Sequence, residues 1–343
     1  MNTRRNLLYF TSLGMILASC TSQPKTQKKL NKSQVPSVAP VEKSKISPEE
    51  PKKPEVSHIG NYDFFTTNIG NSAKKDNTIS HGSIVSATPP GYQVTKNYFP
   101  AVAQNFRQRF IIVHYTALNN DKSISVLTQQ SVSAHYLVND IDDKEIYQIV
   151  DENKRAYHAG ISHWRGFEQL NDTSIGIEIV NPGYTAANGQ KYFVDFPDHQ
   201  VKKIAALIKD IANRYEVAPI YILAHSDIAP TRKSDPGPTF PWKKLYDQYQ
   251  IGMWYDESTK LNFVTSINPE QYLLESTTPQ FLFKIQTMLK DFGYGIQPSG
   301  TYDDTTKKTI EAFQYHFRPE KCDGNMDIET YAILQALLQK YPK

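Results

Sequence analysis

The stretch AHSDIAPTRKSDPGPTFPW, residues 224 to 242, sets an imidazole, His225, and a carboxylate, Asp235, on one Pro-rich loop. The run before it, Ile220–Ala224, is short and apolar, so the loop leaves a strand. A loop of this length folds back far enough for both side chains to reach one ion. A second apolar run, Phe110-Ile111-Ile112-Val113-His114, ends in another imidazole. Two His and one carboxylate, with a fourth position left to water, is the arrangement of catalytic zinc. Taken singly, a strand-end His is more often a satisfied polar residue, and an Asp before Pro opens many turns. The weight lies in the joint pattern.

Outward from these runs, strands are predicted at Ala134–Val138, Glu145–Val150 and Ser174–Val180, with helices near Asp121–Gln130 and Asp198–Glu216. In the second helix Val201, Ile204, Ile208, Ile211 and Tyr215 recur at three- and four-residue steps, which gives one apolar face to pack on a sheet. The catalytic unit is therefore α/β. In Ser174–Val180 the acid Glu178 alternates with Ile177 and Ile179. Such an acid is often the solvent-facing member of a strand, but this strand is expected to run beside the metal.

Beyond Trp254 the pattern changes to short helices. Phe281, Ile285, Leu289 and Phe292 line one; Ile310, Phe313 and Phe317 a second; Ile328, Tyr331, Leu334 and Leu338 a third. Thr305 and Asp327 are the expected N-caps of the last two. A small all-α three-helix domain over 270–343 follows. It offers no ligand or base, so its core is expected to be separate, and truncation after Asn268 should leave a folded catalytic unit.

Three segments, FIIVHYTA, NDTSIGIEIVNPG and AHSDIAPTRKSDPGPTFPW, closely resemble the type 2 N-acetylmuramoyl-L-alanine amidases, relatives of the phage lysozyme-like amidases and the peptidoglycan recognition proteins. The resemblance spans Phe106 to Tyr249. It implies a central mixed β-sheet flanked by helices, with a zinc site at one edge whose ligands are His114, His225 and Asp235. It also implies that Glu178 handles the proton of a zinc-activated water and that Lys233 faces the reacting carbonyl. Some relatives instead use a Tyr before the His of the second-strand motif. Here that position is Ala134, which is consistent with Glu178 taking the task. The family has a loop bordering the peptide groove where this chain has Tyr157–Gly160 and Trp164–Asp172, so His158, Trp164, Arg165 and Asn171 are expected substrate contacts. His135 is expected to be packed and hydrogen-bonded.

The C-terminal helices resemble the peptidoglycan-binding domain often attached to such hydrolases, through Phe292-Gly293-Tyr294, Gly300-Thr301-Tyr302-Asp303, Thr309, Ala312-Phe313-Gln314 and Asp323-Gly324. The activity implied is zinc-dependent hydrolysis of the amide between N-acetylmuramic acid and L-alanine in peptidoglycan or muropeptides. A non-catalytic peptidoglycan receptor would keep the groove and lose a ligand, yet every ligand is present. A zinc endopeptidase is not supported, because no HExxH occurs. A wall-tethering lipoprotein would explain both ends of the chain and not its middle.

At the other end, Arg4 and Arg5 precede an uncharged stretch, Leu7 to Ala18, of signal-peptide type and too short to span a bilayer. Leu17-Ala18-Ser19-Cys20 then looks like the lipobox of bacterial lipoproteins, in which the Cys is acylated. Residues 1–19 are read as the signal peptide and Cys20 as the membrane anchor. If the source is Gram-negative, the expected address is the outer membrane facing the periplasm. Residues 20–58, rich in Lys and Pro and free of aromatics before Tyr62, are expected to be a disordered tether. Residues 59–105 read as an extension packing on the amidase domain, 106–265.

At 343 residues the chain exceeds what one core usually organises. A formal charge of +3 with 12% aromatics argues for no nucleic-acid partner. A monomer is expected. With Cys20 lipidated, Cys322 has no disulfide partner.

Overall fold

Phe110–Tyr115 and Ser174–Ile179 are almost continuously apolar or small, the composition of strands covered on both faces, and they lie side by side inside the sheet. The computed structural model describes residues 55–59 and 62–66 (backbone), 89–92, 105–142 and 144–343. The signal peptide, Cys20, the tether up to residue 54 and most of the 59–105 extension lie outside the described residues.

Along the chain come β1 (Glu55–Ile59), β2 (Tyr62–Thr66), β3 (Phe110–Tyr115), α1 (Asn120–Gln129), β4 (Tyr136–Val138), β5 (Tyr147–Gln148), β6 (His163–Trp164) and β7 (Phe167–Glu168). Next are β8 (Ser174–Ile179), β9 (Tyr184–Ala187), β10 (Gln190–Phe193), α2 (Asp198–Tyr215), β11 (Ile222–Ala224) and α3 (His225–Ile228). The helical remainder is α4 (Trp242–Tyr249), α5 (Glu257–Ser266), α6 (Pro269–Glu275), α7 (Pro279–Phe292), α8 (Asp304–Phe317) and α9 (Ile328–Lys340).

The central sheet has the order β11-β3-β8-β4-β5. Its first four strands are parallel and β5 closes it antiparallel, so the sheet is mixed. Helix α2 buries Val201, Ile204, Ile208 and Ile211 in the core, as its spacing dictates. Each such side chain contributes roughly 1.5–3 kcal/mol on leaving water. In a parallel sheet the strands' carboxyl ends share one edge, and a crevice there is the usual place for a site. His114 near the end of β3, Glu178 near the end of β8 and His225 directly after β11 all fall on it.

Four expectations need correction. The tether does not extend to residue 58: β1 pairs antiparallel with β2, Glu55 opposite Thr66, and the β-branched and aromatic content of this segment favours strand. The helical region holds more than three helices, because α5 packs on α9 and Lys260 of α5 pairs with Glu329, so the 265/270 boundary cuts through it. Helix α8 is capped by Asp303, whose side chain accepts from the Thr306 amide, rather than by Thr305.

The fourth concerns the separation of the two cores. One hydrophobic cluster runs from the sheet and α2 through Trp164 and Trp242 into α7, α8 and α9, within a single compact unit. The apolar faces of the helices were legible in the sequence. That the catalytic unit has matching apolar residues to meet them was not.

Candidate metal centre and active site

His114 is carried by the sixfold run β3, all but its last residue buried, and its imidazole is 1% exposed. His225 opens α3 immediately after β11, and the backbone returns to it at Asp235, whose carbonyl accepts from the Ser226 amide. The loop thus closes on itself as its length allows. His114 Nδ1 stands 2.9 Å from His225 Nδ1, and each stands 3.0 Å from Asp235 Oδ2. The three ligand atoms fall within 4.8 Å of one another, all on buried residues.

Proton assignments show what this cluster fits. The other ring nitrogen of His114 meets His158 Nδ1 at 3.0 Å, and that of His225 meets the Ala159 carbonyl at 3.2 Å. A carbonyl only accepts, so His225 carries its proton on Nε2 and presents a lone pair at Nδ1. Burial, with the neighbouring His225 adding to it, lowers the His114 pKa to about 4, so this imidazole is neutral as well. Burial would raise the Asp235 carboxyl, but the imidazoles beside it outweigh that and hold it below the usual carboxylate range. Two imidazole lone pairs and a carboxylate converge, and a cation is what resolves that convergence. Nitrogen and oxygen donors in this ratio suit zinc.

A cavity of 280 Å³ opens over these atoms. Glu178 and Lys233 line it with the ligands, and Tyr115, Leu118, Val126, Leu127 and Val132 form a largely apolar wall. Glu178 lies directly opposite His114 in the β3–β8 register. Its Oε2 is shut off from solvent without a hydrogen-bond partner. Burial pushes this carboxyl up to about 8, Asp235 reinforcing the shift and Lys233 opposing it. A carboxylate poised near neutrality and aimed into a cavity is suited to moving a proton. Lys233 is exposed on the loop, its amide bonded to the Ala229 carbonyl.

Three of the four expected substrate contacts, Trp164, Arg165 and Asn171, are placed otherwise. Trp164 is fully buried: its Nε1 donates to the Ile220 carbonyl at 3.0 Å, and its ring packs edge-on against Phe292 and Tyr294. A Cβ on Gly293 would fall 2.7 Å from that indole, so a glycine is needed there. Arg165 donates to the carbonyls of Phe292, Tyr341 and Pro342 at 2.7–3.1 Å. Both residues bind the helical region instead of a groove, because the hairpin β6–β7 turns its large side chains toward apolar cover. Asn171 is buried and holds the amides of His158 and Ala159. His158 reaches the cavity wall, but it is 9% exposed and its ring nitrogens bind His114 and Ser174. His135 is buried between the Lys154 carbonyl and the Gly176 amide.

Sequence reasoning missed Asp227, two residues past a ligand and fully buried. Its carboxylate accepts from the Ala224 amide at 2.8 Å and from the Tyr294 hydroxyl at 2.8 Å, and it pairs with His316 Nδ1 at 2.7 Å. The only available signal was a polar triplet, His-Ser-Asp, in an apolar context.

Comparison with known proteins agrees with this geometry. Residues 104–238 match the family model described as N-acetylmuramoyl-L-alanine amidase, and residues 280–334 match a putative peptidoglycan binding domain. Similar in sequence is the N-acetylmuramoyl-L-alanine amidase AmiD of Escherichia coli (strain K12), 41% identical over 73% of this chain and 89% of the relative. A solved complex of the E. coli AmiD with the substrate anhydro-N-acetylmuramic acid-L-Ala-D-gamma-Glu-L-Lys superposes with a TM-score of 0.67 at 40% identity, over 74% of this chain and 97% of the other. AmpDh3 of Pseudomonas aeruginosa, in complex with an anhydromuramic pentapeptide, gives 0.60 at 38%, over 76% and 100%.

Proposed function

This chain belongs to the N-acetylmuramoyl-L-alanine amidases, and from that premise we propose that it hydrolyses its amide with a zinc ion held by His114, His225 and Asp235. The chain is an amidase acting on peptidoglycan or muropeptides. The observation that carries the zinc reading is the convergence of two imidazole lone pairs and a carboxylate beside the unpartnered Oε2 of Glu178. Bound there, zinc would acidify a water molecule and polarise the lactyl carbonyl of N-acetylmuramic acid.

The chain's own residues do the rest. Glu178 accepts the proton of the attacking water as its oxygen bonds to the carbonyl carbon. It then delivers that proton to the nitrogen of L-alanine as the carbon–nitrogen bond breaks. Lys233 sets an ammonium toward the developing oxyanion. The apolar wall from Leu118 to Val132 limits water around the reacting bond. The proposed chemistry needs no residue from a second copy, and we propose that the protein acts as a monomer. The C-terminal helices bind peptidoglycan, and Cys20, acylated in its lipobox, anchors the protein in the cell envelope, in a Gram-negative source at the outer membrane facing the periplasm.

The test is product analysis. Anhydromuramyl peptides, the ligands in the solved relatives, and intact sacculi are each treated with the protein and resolved by mass spectrometry. Stem peptides beginning with a free L-alanine amine, beside intact sugars, are expected. Cleavage inside the peptide would overturn the reading. His225→Ala should lose both bound zinc and turnover, and equal zinc in variant and parent would refute the ligand set.

A further inference from the structure

A metal-binding imidazole is only as well placed as the partner on its other nitrogen. Here the two partners are consecutive residues. His114 Nε2 meets the side chain of His158, and His225 Nε2 donates to the carbonyl of Ala159, which also accepts from Arg232 at 3.2 Å. This dipeptide is held from behind by one carboxamide: Asn171 Oδ1 accepts from the His158 amide at 3.0 Å and from the Ala159 amide at 2.8 Å.

The proton order around His158 runs one way. Ser174 Oγ, 2.6 Å from the Leu170 carbonyl, gives its hydrogen there and accepts from His158 Nε2 at 3.1 Å. His158 Nδ1 is therefore an acceptor, and His114 must donate to it from Nε2, which leaves the Nδ1 lone pair of His114 facing the metal position. Strand β8 leaves room for this arrangement. A Cβ at residue 176 would stand 2.4 Å from the His158 ring, so glycine in SIGIEI lets the imidazole lie against the strand under His114.

We propose that the Asn171-clamped pair His158–Ala159 is a positioning element for both histidine ligands, fixing the tautomer and ring orientation of each while His158 itself is not a metal ligand. The inference rests on the zinc reading above. It assigns a use to Asn171, Ser174 and Gly176, none of which faces the reacting bond.

The experiment measures zinc dissociation constants by competition with a chromophoric chelator, on the full chain, with folding of each metal-free variant checked by circular dichroism and thermal melting. His158→Leu should bind zinc about 10–100-fold more weakly, the usual cost of losing an outer partner. His158→Asn, whose carboxamide oxygen can accept near the position of Nδ1, should recover most of that loss. A merely structural role would lower the melting temperature and leave the zinc affinity of the folded chain unchanged. Should His158→Leu not fold, Asn171→Ser decides, since a hydroxyl is too short to span both amides and touches neither imidazole. A folded variant within threefold of the parent's affinity overturns the proposal, and a larger loss supports it. A parent that takes up no zinc overturns the metal reading and this inference together.

Discussion

The imidazole of His316 lies flat on the indole of Trp242, ring centroids 4.1 Å apart and planes 17° from parallel. His316 belongs to α8 of the helical region and Trp242 to the segment that follows the Asp235 loop. The same imidazole pairs with Asp227, both side chains being 0% exposed. The peptidoglycan-binding fold is thus bonded to the helix that begins with a metal ligand.

Removal of the C-terminal helices should therefore be severe. A chain ending at Asn268 would lose the cover of Trp164 and Trp242, each worth roughly 1.5–3 kcal/mol of burial. It would also remove two of the three partners of Asp227, the Tyr294 hydroxyl and the His316 imidazole, and a hydrogen bond to a charged group contributes roughly 1.5–3 kcal/mol. Little soluble, folded protein is expected from it, and His316→Ala alone should lower stability by about the latter amount in a denaturant melt. A truncated chain that melts cooperatively at the temperature of the full one would show that the interface contributes nothing.

Glu178→Gln should keep the metal and lose turnover by about 10²–10⁴-fold, because the amide is nearly isosteric and cannot take a proton. The base works deprotonated, so the parent's kcat/KM should rise with pH across its titration. The apparent pKa should lie between the ordinary 4.5 and the value of about 8 that burial produces, since a bound cation favours the charged carboxylate. The zinc content and the pH–rate profile of both proteins check this. A variant rate within threefold of the parent would require another base.

The sequence was most informative where chemistry demands particular atoms. His114, His225 and Asp235 were legible from their joint pattern on a strand end and one long loop, and the structure brings them together. Glu178 was legible only through the family resemblance, since an acid alternating along a strand reads equally as solvent-facing. The α/β alternation was legible because β3 is a short continuous apolar run, β8 alternates Ile with smaller or polar residues, and α2 carries a clear helical period. The reading failed where a residue's meaning depends on what folds against it later. Trp164 and Arg165 have the composition of a ligand-binding turn, and only the proximity of Phe292, Tyr341 and Pro342 makes them an internal joint. His158 does line the cavity, but no local pattern reveals that its ring is also bonded to His114.

Cys20→Ala should release the protein from membranes and leave its chemistry intact. Each buried methylene of an acyl chain contributes about 0.8 kcal/mol, so several chains together hold firmly. Fractionation of cells followed by an activity assay of both fractions checks it. A variant that still sediments with membranes would refute the lipobox reading.

Acid stability should depend on Glu152. Its carboxylate accepts from both Arg214 terminal nitrogens at 2.6 and 2.7 Å, and from the hydroxyls of Tyr136 and Tyr215 at 2.6 Å each. Burial would raise this group, but those bonds outweigh it and hold the carboxyl at about 2, against an ordinary 4.5. A folded pKa below the unfolded one contributes stability that is complete above pH 4.5 and lost as pH falls through about 2. In that window the parent should destabilise as acid is added. Glu152→Gln should be less stable at pH 7, by roughly the 1.5–3 kcal/mol of one charged hydrogen bond or more. Its stability should also fall less steeply between pH 4.5 and 2, because the titrating group is gone. Urea melts of both chains at a series of pH values give the comparison. Parallel stability curves through the acid range would mean that the cluster joining β4, α2 and the segment after β5 is not linked to protonation of Glu152.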